Sequence, residues 1–166
     1  MSYAERMLPE FDQEMASTRK VLERIPDDKL DWRAHPKSNT IGWNANHLAD
    51  LPHWVVETLG KPALDISPVD GPRYESPKET SRQKILSVFD RNVAEARQAL
   101  KAATDEQLNQ NWTLLAAGQP IFTMPRSAVL RSFVLNHSIH HRAHLCVYLR
   151  LNNIPVPGLY GPSGEE

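Results

Sequence analysis

The chain has a single cysteine, Cys146, which excludes an internal disulfide framework and fits a reducing compartment. No apolar run approaches the ~20 residues that a membrane-spanning helix needs. No dense basic block is present, and a formal net charge of −1 gives no electrostatic reason to expect nucleic acid as a partner. Residues 1–15 are interrupted by charges and lack the uncharged core of a secretory signal, so a cytoplasmic location is expected. Also missing are a glycine-rich phosphate loop, a serine-centred elbow, a cofactor fingerprint, an internal repeat and any low-complexity block. What remains is an ordinary apolar fraction over 166 residues, which suits one domain, residues 1–166, around one core.

Four long stretches carry helical periodicity. In the first, Leu8, Phe11, Met15, Thr18, Leu22 and Ile25 recur in steps of three and four, with Pro9 near the start and Pro26 as the stop. The second follows the polar signal Ser38-Asn39-Thr40 and runs to about Gly60, with Pro52 expected to kink or split it. Residues 61–71 read as a long crossover loop. Ser76-Pro77-Lys78-Glu79 has the pattern of a helix start, and the third helix continues through Ile85, Phe89, Val93, Ala96 and Leu100. Thr104 to Gln107 repeats the capping pattern and opens a short extra turn. Residues 109–122 are irregular and fit either a short extended piece or a loop over the helices. The fourth helix is expected to start at Thr123-Met124-Pro125 and end near Asn152 or Asn153. Residues 153–166 form an extended tail rich in Pro and Gly. The expected class is all-α: a four-helix bundle with long crossover connections.

The fourth helix carries the chemistry. At about 100° per residue, Leu130, Val134, His137, His141, Leu145 and Tyr148 share one face, with His144 at its edge. Histidine therefore stands where a bundle helix normally places leucine. A buried neutral imidazole must satisfy both its nitrogens. Two His at i and i+4 point the same way and can share one ion. His47, on the core-facing side of the second helix, can add a third nitrogen from across the bundle. Spacing alone does not separate this arrangement from hydrogen-bonded core histidines. Ser138 stands where a zinc-protease helix has Glu, which argues against peptidase chemistry.

Trp32-Arg33-Ala34-His35-Pro36, Ile41-Gly42-Trp43 and His47-Leu48-Ala49 resemble the first half of the DinB-like (DinB/YfiT) superfamily. The run from Asn136 through His137, His141 and Leu145 to Arg150 resembles its signature helix, and Ile154–Gly158 with Tyr160–Ser163 resembles the tail of many members. The resemblance spans nearly the whole chain. It implies a four-helix bundle, often a homodimer, with a three-His site for nickel, zinc or a similar ion; the matching positions are His47, His137 and His141. One departure is that Ala143-His144 stands where members often have Gly-Gln. This leaves open which histidine beside the site binds metal and which supports it.

Around that site, His144 and Tyr148 are the candidate catalytic groups, and neither is a convincing general base. His140 reads as a supporting or surface residue, His35 as a loop contact, and His53 as exposed. Asp50 either accepts the free N–H of His47 or is solvated. Leu135, Ile139 and Cys146 form a second apolar stripe whose expected cover is a homodimer partner or the segment 109–122, with Cys146 a packing residue. Three neutral imidazoles leave an ion with open positions. The resembled relatives favour a low-molecular-weight thiol as co-substrate and transfer to a small electrophile. Metal-dependent hydrolysis of a small molecule and a non-catalytic metal-binding or dimerising bundle are the alternatives.

Overall fold

The computed structural model describes residues 2–165 of the chain. Helix α1 (Tyr3–Leu22) starts earlier than expected, because Ser2 and Glu5 form a reciprocal capping box. Pro9 therefore lies inside the helix, on its exposed side, where water can meet the carbonyl that the proline leaves unpaired. Thr40 caps α2 (Ile41–Asp50) by accepting a 3.0 Å bond from the Trp43 N–H. Pro52 splits the second stretch, as expected, and α3 (His53–Gly60) follows. Among the described residues no helix is long and apolar enough to cross a membrane.

The segment from Tyr74 to Thr80 is not helical, although it begins with a good capping pattern. Its polar groups are taken by α2 instead. Tyr74 and Ser76 donate to the carboxylate of Asp50 at 2.8 and 3.0 Å. Asn46 accepts from the Glu79 N–H at 2.8 Å and donates to the Glu79 carbonyl at 2.9 Å. The result is an extended strap along α2, and α4 (Arg82–Ala102) begins only after its own cap, Ser81. Thr104 caps the short α5 (Asp105–Asn109), as its sequence suggests.

The all-α expectation needs correction. The chain contains a three-stranded sheet of β1 (Ala63–Asp65), β2 (Asn111–Ala116) and β3 (Gln119–Pro125), with β1 parallel and β3 antiparallel to the central β2. Ala117 and Gly118 both have positive φ, the backbone a tight hairpin turn requires. Trp112 and Leu114 point inward at a spacing of two and form a second small core with Val129. Thr123–Pro125 belongs to β3, so the last helical stretch begins at Arg126. That stretch passes from α6 (Arg126–Val129) through a π-helical segment (Leu130–Asn136) into α7 (His137–Leu151). Asn153, at φ 57°, ends it with a left-handed residue, and Ile154 N–H bonds back to the Leu149 carbonyl.

In the main core, α1 packs on α4 and α7, while α2 packs on the same two helices. Helix α7 thus shows one face to α2 and another to α1. On the α1 side Leu135 is buried and Cys146 packs against the core; between them Arg142 reaches Glu14 and Thr18 of α1. Leu135 and Cys146 of the second apolar stripe are therefore covered from within the chain, while Ile139 is half-buried. Residues 109–122, the other expected cover, lie instead against Trp54, Val129 and Phe133.

Candidate metal centre

The face of α7 turned to α2 brings His137 and His141 opposite His47. The Nε2 atoms of His47 and His137 are 3.2 Å apart, and those of His137 and His141 are 3.0 Å apart. One nitrogen from each of the three rings lies within 4.8 Å of the others, an arrangement that could hold a metal ion. Imidazole nitrogens ~2.0–2.1 Å from one ion, at angles between square and tetrahedral, stand about 2.9–3.4 Å apart. The observed spacings fall in that range.

The opposite nitrogens decide the chemistry. His141 Nδ1 lies 2.9 Å from Asn44 Oδ1, while the Asn44 amide donates to the Thr40 carbonyl at 2.8 Å. That second bond fixes which end of Asn44 faces the ring, so His141 Nδ1 carries the proton and donates it. The His137 backbone N–H bonds to the Val134 carbonyl, and the His137 ring meets the backbone of Phe133. His141 spends its proton outward and turns a bare Nε2 lone pair toward His137 Nε2 at 3.0 Å. That contact is satisfied either by a proton on His137 Nε2 or by a cation held between the rings. The residues fit a divalent ion, and Asn44 fills for His141 the orienting role that ligand histidines ordinarily require.

Electrostatics agree. Burial, and then the neighbouring His137, lower the pKa of His47 to about 4. Burial first, then the surrounding His47, His137, His140 and His144, lower that of His141 to about 3. His137 is lowered mainly by burial, opposed by its bond to Phe133. The three rings are therefore neutral, the form that binds metal. Trp43 stacks on His47 with centroids 4.8 Å apart at 25°. Nothing in the histidine spacing announced Asn44 or Trp43; their position within one helical turn of His47, on the same helix, was the available signal.

The other candidates fall into place around these rings. His144 approaches His140 and His141 and stacks at 6.4 Å on Tyr148, which is buried against Trp32. His140 is exposed. His35 Nδ1 accepts from the Lys37 N–H, a loop contact as expected. His53 is half-buried rather than exposed, because it lies 3.3 Å from the Glu57 carboxylate. Asp50 neither meets His47 nor is solvated: it is buried and anchors the strap. Burial raises the pKa of the Cys146 thiol, in keeping with a packing residue. The strap encloses a cleft of about 570 Å³ lined by Trp43, Asn46 and His47 on one side and residues 73–80 on the other. That is the size of a small-molecule site.

A mostly helical chain with three imidazoles gathered on one point belongs to the class of helical proteins with a histidine centre. The chain is a member of the DinB superfamily, whose family model matches residues 10–145. It is 28% identical to the uncharacterized protein YrdA of Bacillus subtilis (strain 168), across 98% of this chain and 90% of that protein. It resembles a solved DinB-like protein from Bacillus cereus ATCC 10987 with a TM-score of 0.72 and 26% identity, over 94% of this chain and 97% of the other. A DinB-like protein of Bacillus subtilis, YjoA, shares the fold with a TM-score of 0.71 at 18% identity, over 95% and 99% of the two chains.

Proposed function

We propose that the chain is one four-helix-bundle domain whose His47, His137 and His141 hold a single divalent ion, nickel or zinc, and that it is a thiol-dependent S-transferase acting on a small electrophile. The observation that carries the metal site is the convergence of one nitrogen from each of His47, His137 and His141 within 4.8 Å, with His141 already donating outward to Asn44. Such an ion, when bound, favours the deprotonated form of a thiol or water and so supplies a nucleophile at neutral pH. The chain's own contributions are separable. Asn44 holds His141 in the tautomer that faces inward, and Trp43 stacks on His47. The cleft beside His47 admits a small molecule, and the strap that walls it is fixed to α2 through Asp50 and Asn46. His144 and Tyr148 stand beyond His141 along α7 and serve as candidate proton-handling groups. The setting of this reading is cytoplasmic, without nucleic acid or membrane as partner. A homodimer would use the outer face of α7, where Val147 and Leu151 are exposed.

The test begins with elemental analysis of the untagged protein. About one ion per chain is expected in the parent and almost none in His137→Ala. Asn44→Ala should keep the fold and lower metal affinity about 10–100-fold. The loaded protein is then assayed with small thiols paired with electrophiles. Turnover that ignores added thiol would replace the transferase reading with metal-dependent hydrolysis. Loss of metal in His137→Ala with no turnover of either kind in the parent would leave a non-catalytic metal-binding bundle.

A further inference from the structure

We infer that His140 and His144 form a second, solvent-facing site for a divalent transition ion, separate from the interior histidine centre. The two residues are one turn apart on α7, and their ring centroids are 4.3 Å apart. One ligand nitrogen from each, together with one from His141, lies within a 4.8 Å group. His141 has no nitrogen to spare for that group: Nδ1 donates to Asn44 and Nε2 faces His137. The outer site is therefore a two-imidazole chelate completed by water. Among the described residues, neither His140 nor His144 hydrogen-bonds to any protein atom, so their lone pairs are available without breaking a contact.

The ligand set selects the ion. No Asp or Glu lies on α7, and the pair offers only imidazole nitrogen. Hard oxygen-seeking ions such as magnesium and calcium have no ligand there. Zinc, nickel and copper(II), which accept imidazole, do. The site sits close to the interior one, with the His140 and His144 ring centroids 4.9 and 5.7 Å from that of His141. Two dications at such range repel, so filling the interior weakens the outer site. The inference does not rest on the interior centre, since the outer pair is complete without it.

The experiment is calorimetric titration of the full chain, stripped of metal with a chelator, using Zn²⁺ alone. Two equivalents are expected, the second at least tenfold weaker than the first. His140→Gln/His144→Gln should remove the weaker equivalent and leave the tighter one within twofold. His47→Gln/His137→Gln should remove the tighter equivalent and leave the outer one, bound somewhat more tightly. The parent saturating at one equivalent, or a second equivalent that survives His140→Gln/His144→Gln, overturns the site. An outer equivalent found without a tight one supports it, while removing the interior metal reading.

Discussion

A buried imidazole has two nitrogens to satisfy, and His141 does so by donating to Asn44 and keeping a bare inner nitrogen. The same solution makes the metal-free protein sensitive to acid. In the unfolded chain a histidine takes up its proton near the ordinary 6.5, whereas in the folded chain His47 waits until about pH 4 and His141 until about 3. The unfolded state therefore binds more protons as pH falls below 6.5, and stability must fall with it. That stability is fully present above pH 6.5 and is lost progressively toward pH 4. Urea midpoints of chelator-treated protein at pH 7.5, 6.0 and 5.0 should decline steadily, and His47→Gln/His141→Gln should decline less. Equal slopes in parent and variant would remove these rings as the cause. His137 and His141 were readable from sequence because i, i+4 spacing survives any reasonable helix boundary. His47 was readable from its core-facing side of the second helix, and the family resemblance pointed to the same residue. Asn44 was not singled out, because an Asn one turn from a His has many other uses in a helix.

At the level of elements, sequence pattern gave the helices their interiors but not all their ends. Ser76-Pro77-Lys78-Glu79 satisfies the local rules for a helix start, yet Ser81 is the cap. Local rules lost there because Asp50 and Asn46, buried on α2, needed partners, and Tyr74, Ser76 and Glu79 supply them. Burial, then the nearby Asp50 carboxylate, raise the Tyr74 pKa, so its phenol remains a donor. Asp50→Ala should thus cost about 2–3 kcal/mol by leaving two donors without their charged acceptor. It should also loosen the wall of the cleft. Limited proteolysis is expected to cut between Arg73 and Lys78 in the variant faster than in the parent. Unchanged cutting with lowered stability would mean the strap is held by Asn46 alone. The hairpin was concealed for a related reason: residues 109–122 alternate only weakly, and the inward Trp112 and Leu114 make sense only once α3 and α6 are beside them.

Across the whole molecule, the two faces of α7 carry different kinds of burial, and this is why one apolar stripe had no visible partner in the sequence. The face toward α2 gathers imidazoles; the face toward α1 places Arg142, 1% exposed, against Glu14, 6% exposed, at 2.6 Å. Arg142 also donates to the Glu14 carbonyl and to Thr18, and Tyr160 from the tail hydrogen-bonds both Arg142 and Glu14. One ion pair therefore joins the first helix, the last helix and the tail. Desolvating such a pair costs nearly what its attraction returns, but removing one member strands the other charge. Arg142→Met should destabilise by about 3–5 kcal/mol in urea unfolding, whereas Arg142→Met/Glu14→Leu should recover at least half of that loss. The double variant should still bind metal as the parent does, because the centre lies on the opposite face. A single variant within about 1 kcal/mol of the parent would show that the seam is held by the surrounding apolar contacts. Metal loss in a well-folded double variant would instead mean that α1 sets the rotation of α7, and with it the direction in which His137 and His141 point.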